Sequence, residues 1–272
     1  MTDPWNPDQY AKFLSERERP FLDLVAMIRG PQGSRDGDPV RPAPQMRVVD
    51  LGCGTGRLTY RLHSELQAST TLGIDRSSRM LAAAVADSAK EGVRFEQRDI
   101  AAFPRPGEQV DLIFSNAAVH WVDDHAALFA RLASALTPDG QLAVQMPAMY
   151  DDPSHLVAME LSDVEPFRSA FGEWRRSQPV LAPEVYARLL FQLGFRDPSV
   201  RLIVYPHVLS GPDAVVEWMK GTLLAEYSRH LPPDLFGAFV DEYRRRLLER
   251  IEPARPFFFP FKRILIWGQR SA

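Results

Sequence analysis

A single cysteine, Cys53, stands in 272 residues, so no disulfide can form within the chain. Its isolation also excludes a metal site built on paired thiolates, and no metal ligand set is expected. An excess of one charge is missing too. Lys and Arg number 32 against 35 Asp and Glu, a formal charge of −3. Without a basic excess the chain has little to displace counterions from a phosphate backbone, which argues against nucleic acid as a partner. No apolar run approaches the roughly 20 residues that cross a bilayer. The opening stretch MTDPWNPDQYAKF has neither a basic n-region nor an apolar h-region. Neither a membrane nor export is therefore expected, and the expected location is cytoplasmic. What remains is ordinary for a globular chain, 45% hydrophobic and 25% charged, and long enough to bury a large core.

Hydrophobic spacing organises the chain. Residues 8–28 have apolar positions at helical intervals, interrupted by Pro20, and residues 29–45 are rich in Gly, Pro and charge, as a linker is. Short apolar runs at 46–51, 70–75, 93–97, 110–116 and 141–146 read as strands. Helical patterns separate them at 57–66, 78–91 (with Ser77 as its cap) and about 124–136. Strand and helix alternate, which predicts a parallel sheet covered on both faces. Beyond residue 147 the rhythm changes. Residues 153–194 read as helices broken near Pro179 and Pro183, 199–206 as a strand, 212–250 as two amphipathic helices around LPPD, and 261–269 as a last strand. The late helices are expected to lie over the carboxyl edge of the sheet, where open α/β folds bind ligands.

The first strand runs into VVDLGCGTG, with Gly52, Gly54 and Gly56 around Cys53. A dinucleotide loop prefers G-x-G-x-x-G, and a Walker loop needs Gly-Lys-Ser/Thr, which is absent here. Asp50, at the strand end, would repel a pyrophosphate and favour a cation such as an ammonium or sulfonium. Asp75 closes the second strand, 25 positions later. A carboxylate there suits a ribose diol, since it accepts from two hydroxyls. Asp99 follows the third strand and is placed to accept from an exocyclic amine, and Asn116 ends the fourth, with His120 and Trp121 in the loop beyond. Ribose, adenine and a cation together describe S-adenosylmethionine better than NAD.

The ordered set VVDLGCGTG, GIDRS, QRDI, DLIFSNAAVHW and LTPDGQLAVQMP resembles the class I S-adenosylmethionine-dependent methyltransferases. The opening WNPDQYAKFLSERERPFLDL, the run from SNAAVHW to QMP and the closing FFFPFKRILI are similar, more narrowly, to the trans-aconitate 2-methyltransferases. That resemblance implies a Rossmann-like α/β fold, with a mostly parallel seven-stranded sheet, helices on both faces and a helical lid. It implies an amino-terminal helical arm at 1–28, the linker at 29–45, a cofactor core at 46–147, remaining core elements with the substrate lid at 148–260, and the last strand and tail at 261–272. It also implies cofactor contacts from Asp50, Gly52, Cys53, Gly54, Gly56, Asp75, Arg76, Asp99, Ile100 and Asn116. The product would be S-adenosylhomocysteine, and the enzyme a monomer or weak dimer acting on a small molecule. Residues 148–260 match loosely, with only Tyr186 left of the family's tyrosine-rich segment.

The expected reaction is methylation of one carboxylate of a small polycarboxylic acid. The alternative is transfer to carbon, nitrogen or hydroxyl oxygen of a more apolar metabolite, which the aromatic RPFFFPF segment would suit. A binding protein without catalysis is a further class. A carboxylate acceptor is ionised at neutral pH and needs no general base, but its other carboxylates need cations. Arg17 and Arg19 are the first candidates for that grip, against the alternative of a solvated helix face paired with Glu16 and Glu18. Tyr10 and Phe13 line either the cleft or the core. Trp121 covers adenine or acceptor, or anchors its loop. His120 has a catalytic reading and a positioning one. Cys53 needs only to be small. Lys262 and Arg263 read as surface or structural residues, and YRRRLLER (243–250) as a solvated helix face.

Overall fold

Strands β1 (Arg47–Leu51), β2 (Thr70–Asp75), β3 (Val93–Gln97), β4 (Val110–Asn116), β5 (Leu136–Pro147), β6 (Phe195–Leu209) and β7 (Phe257–Arg270) form one sheet, in the order β3-β2-β1-β4-β5-β7-β6. The computed structural model describes residues 14–30, 46–86 and 91–271, with side chains from residue 18 in the first stretch and to Ala84 in the second. β1, β2, β3, β4 and β5 run parallel, and β7 pairs antiparallel with β5. The expected mostly parallel seven-stranded α/β sheet is therefore the observed one.

Two compact units divide the chain. Among the described residues, the first contains those within 14–147, 179–203 and 263–271. Its helices are α1 (Leu14–Val25), α2 (Arg57–Leu66), α3 (Ser78–Ala86), α4 (His125–Ser134) and α7 (Pro183–Gln192). β1 is buried at every position but its first, as expected of a parallel strand covered on both faces. Phe21 of α1 meets Phe114 of β4 edge to face at 5.5 Å. Beyond the helix, the Arg29 N–H donates to Gln141 Oε1 at 2.9 Å, and Gln141 Nε2 donates back to the Arg29 carbonyl at 2.7 Å. Gln141 is level with Leu112, two residues short of Phe114 along β4. α1 therefore runs opposite to the parallel strands, and its first turn lies toward their carboxyl ends.

The second unit contains 148–178 and 204–262 among the described residues. Its helices are α5 (Pro153–Leu161), α6 (Phe167–Phe171), α8 (Asp213–Lys220), α9 (Leu223–Tyr227) and α10 (Pro233–Arg250). Phe171, Tyr227 and Phe239 cluster in its core, and Tyr243 donates to the Ser154 carbonyl at 2.8 Å. Arg176 pairs with Glu226 at 2.8 Å over the Tyr150 ring. Burial, reinforced by that guanidinium, pushes neighbouring His155 down to about 3, so its imidazole is neutral.

Several expectations need correction. α1 continues through Pro20. One lost backbone donor does not break a helix anchored by buried Phe21 and Leu24 and by Glu18, which pairs with Arg57 at 2.7 Å and Arg61 at 3.8 Å. Glu18 is thus engaged by two arginines of α2. β5 starts five residues before its expected start, at Leu136 rather than 141, because a register shift after Val110 absorbs TPDG as a bulge. The segment 212–250 forms three helices, with a break at Gly221 and Thr222. Ser77 caps α3 as expected, its hydroxyl accepting from Met80 N–H at 3.1 Å.

Candidate cofactor and acceptor site

The sheet order reverses direction between β1 and β4, and the loops after these two strands meet there. Gly52 has a φ of 75°, and a Cβ built on it would overlap that of Ala118 in the loop after β4. Only glycine allows the two loops to approach so closely. Ser115 reinforces the junction by donating its hydroxyl to the Leu51 carbonyl at 2.9 Å. Open α/β sheets bind ligands at such a reversal, outside the carboxyl ends of the strands.

Three carboxylates surround the glycine loop in different ways. Asp50 is buried at 4% exposure and accepts the Thr59 hydroxyl of α2 at 2.6 Å. Burial pushes its carboxyl up to about 7; the Thr59 bond lowers it, and the Asp75 charge adds to the rise. Asp75 is half-buried and accepts from Gly54 N–H at 2.9 Å and Ser77 N–H at 2.8 Å. It thereby fastens the loop after β1 to the end of β2. Asp99 is exposed, and one of its oxygens caps the short turn Ile100–Ala102 through Ala101 N–H at 2.8 Å. Ile100 reaches over Gly52, and Arg76 is exposed.

Gly52 and Cys53 N–H groups both donate to the Ile74 carbonyl, at 2.8 and 3.0 Å. Gly56 opens α2 with a φ of 72°, and a Cβ there would meet the Phe95 ring at 2.6 Å. Burial first, then the charges of Asp50 and Asp75, push the Cys53 thiol up, so it stays protonated. Asn116 lies at the end of β4, level with Gln145 of β5. Its Oδ1 is buried without a hydrogen-bond partner. His120 and Trp121 follow in the short turn Val119–Trp121, with ring centroids 4.7 Å apart.

The arm candidates fare differently. Tyr10, Phe13 and the Arg17 side chain lie outside the described residues, and Arg19 is exposed on α1.

A family profile described as "Methyltransferase domain" matches residues 42–175. A trans-aconitate 2-methyltransferase of Deinococcus radiodurans is 40% identical over 98% of both chains. One from Acidovorax sp. strain JS42 is 37% identical, again over 98% of each. The chain belongs to the trans-aconitate 2-methyltransferase family. It is an S-adenosylmethionine-dependent methyltransferase. Solved structures agree on the fold: the YcgJ protein of Bacillus subtilis superposes with a TM-score of 0.61 at 17% identity, covering 94% of this chain and 99% of that one. Phosphoethanolamine N-methyltransferase 2 of Haemonchus contortus, in complex with S-adenosyl-L-methionine, gives 0.53 at 16%, covering 93% of this chain and 53% of that one.

Some residues of this methyltransferase had no sequence signal. Thr59 is an ordinary helix residue until the fold turns it toward Asp50. His125 is buried; its Nε2 donates to the Val119 carbonyl at 3.1 Å, and its Nδ1 therefore accepts from the Tyr186 hydroxyl. Tyr186 Oη in turn accepts from Leu181 N–H at 3.0 Å. Tyr186, expected as a remnant of the substrate segment, thus braces the His120–Trp121 turn from behind. Of the two readings for Arg263, surface or structural, its 3% exposure removes the first. Lys262 pairs with Asp151. Of the aromatic segment, Phe257, Phe259 and Phe261 pack in the core with Trp218, which takes them out of the reckoning as an apolar acceptor lining. The arginines of 243–250 form the expected solvated face, with Arg245 and Arg246 on Glu242.

Proposed function

We propose that this methyltransferase esterifies one carboxylate of a small polycarboxylic acid of the trans-aconitate type. The observation that carries this reading is the 40% identity, across 98% of both chains, to a protein named trans-aconitate 2-methyltransferase.

The residues present suit the cofactor. Asp75, at the end of β2, is a carboxylate held beside the glycine loop by Gly54 and Ser77 N–H and is assigned to the ribose diol. Asn116 Oδ1, a buried acceptor without a partner, is assigned to a donor of the amino-acid part. Asp50 lies behind the loop with its carboxyl pushed up to about 7 by burial, and a cationic group bound nearby would favour its ionised form. Gly52, Cys53, Gly54 and Gly56 would allow close backbone approach of the cofactor, and Ile100 and Arg76 are assigned to its adenosine part. Asp99 keeps one carboxylate oxygen for the adenine amine, because only the other caps Ala101. Bound S-adenosylmethionine supplies an electrophilic methyl group on a sulfonium whose departure leaves a neutral thioether.

A carboxylate acceptor is ionised near neutral pH, so the chain need not furnish a general base. The work of the protein is alignment and exclusion of water. His120 and Trp121, on the turn braced by His125, are assigned to positioning the acceptor. Arg17 and Arg19 remain assigned to its outer carboxylates. The chain is proposed to act as a cytoplasmic monomer or weak dimer. Its charge of −3 supports the absence of a nucleic acid partner.

The test has two stages. Calorimetry with S-adenosylhomocysteine should show binding that weakens in Asp75→Ala. Radiolabelled methyl transfer across di- and tricarboxylic acids should then give alkali-labile methyl esters. Activity confined to phenols or amines would overturn the carboxylate assignment.

A further inference from the structure

β7 lies antiparallel beside β5, with Pro147 opposite Arg263 and Gln145 opposite Leu265. Strand side chains alternate faces, so Gln145 and Arg263 share one face as diagonal neighbours. Asn116, level with Gln145 on β4, belongs to the same face, as does Phe114, which α1 covers through Phe21. All of these residues lie in the unit that holds the glycine loop.

Gln145 is fully buried and Arg263 is 3% exposed. Arg263 Nη1 donates to Gln145 Oε1 at 3.3 Å. A guanidinium can only donate, so this contact fixes the orientation of the amide and makes the other terminal atom the NH2 group. That Nε2 is buried with no hydrogen-bond partner. An amide donor left unsatisfied in a protein interior costs free energy, and natural chains rarely retain one without a use. Here it lies beside a buried cation, a combination suited to a group that only accepts and carries negative charge.

We propose that Arg263 and Gln145 form the seat for a non-reacting carboxylate of the acid substrate. Guanidinium and amide N–H groups both donate to it, and the buried surroundings strengthen both contacts. The division of labour with Asn116 follows from atom type. Asn116 presents an acceptor without a partner and suits a donor on the cofactor, whereas Gln145 presents a donor and suits the acid. Register places these two residues side by side across β4 and β5, so acid and cofactor are held next to each other. The assignment rests on the carboxylate reading above and adds the residues that select for an acid.

The experiment is calorimetry of trans-aconitate binding to protein already saturated with S-adenosylhomocysteine. Two variants are compared with wild type. Gln145→Glu keeps an oxygen acceptor for Arg263 Nη1, which favours folding, and places a negative charge where the substrate carboxylate would sit. Arg263→Lys keeps the charge and loses the planar fork. The expected result is a loss of trans-aconitate affinity of about 30-fold or more in Gln145→Glu and about tenfold in Arg263→Lys. The S-adenosylhomocysteine affinity, which also reports folding, should stay within about twofold of wild type in both. Unchanged trans-aconitate affinity in the two folded variants overturns the seat while leaving the carboxylate reading intact. Failure of wild type both to bind trans-aconitate and to methylate any polycarboxylate overturns that reading, and the seat falls with it.

Discussion

The Thr59 hydroxyl donates to Asp50 Oδ2 at 2.6 Å, joining the first turn of the helix after the glycine loop to the end of the strand before it. This bond holds a carboxyl whose burial resists ionisation. The glycine loop is bracketed by it on one side and by the Asp75 bonds on the other.

Asp50 makes stability depend on pH. Its carboxyl is raised from 3.8 to about 7 in the folded chain, so the native state binds a proton that the unfolded chain gives up. Stability is then full below pH 4 as far as this group is concerned, and falls as pH rises through 7. The loss is at most about 4 kcal/mol. Asp50→Asn should remove this slope. Urea denaturation at pH 5 and pH 8 should show the variant gaining on wild type at the higher pH, while its affinity for S-adenosylmethionine falls.

Gly52→Ala should be poorly tolerated. The added Cβ overlaps that of Ala118 at a φ of 75°, so both steric and backbone terms oppose it, and a loss of about 2–4 kcal/mol is expected. Thermal unfolding measures it. A pronounced fall in S-adenosylhomocysteine affinity should accompany the loss, because the same approach shapes the loop.

Asp75→Asn should weaken S-adenosylhomocysteine binding by about 10- to 100-fold. The substitution removes the charge and one of two acceptor oxygens that hold Gly54 and Ser77. Calorimetry checks it, and an affinity equal to that of wild type would remove Asp75 from the binding set.

Tyr186→Phe deletes a hydroxyl that accepts from Leu181 N–H and donates to His125. Both partners lose a buried bond, so destabilisation of about 1–3 kcal/mol is expected. The turn carrying His120 and Trp121 loses its brace. Methyl transfer kinetics should therefore show a lower kcat with S-adenosylhomocysteine affinity unchanged.

The parallel half of the sheet was legible from the order of residues, because its strands are short buried runs separated by helices that carry their own periodicity. The boundaries of β2, β3 and β4 follow directly from that pattern. The start of β5 was hidden because TPDG reads locally as a turn, while pairing with Val110 makes it a bulge. The break at Gly221 was hidden in the same way, since amphipathic spacing continues on both sides of it.

The strand-loop-helix junction carrying Gly52, Gly54 and Gly56, with Asp50 before it, was legible from spacing, since it is a local feature whose backbone needs are written in consecutive residues. Tertiary structure alone decided that Asp50 answers to Thr59, that Glu18 pairs with Arg57 and Arg61, and that Arg263 is an interior cation beside Gln145. These relationships join residues on different elements, nine positions apart for Asp50 and Thr59 and 118 for Gln145 and Arg263. Their physical content, desolvation and the choice of hydrogen-bond partner, does not exist until those elements are packed together.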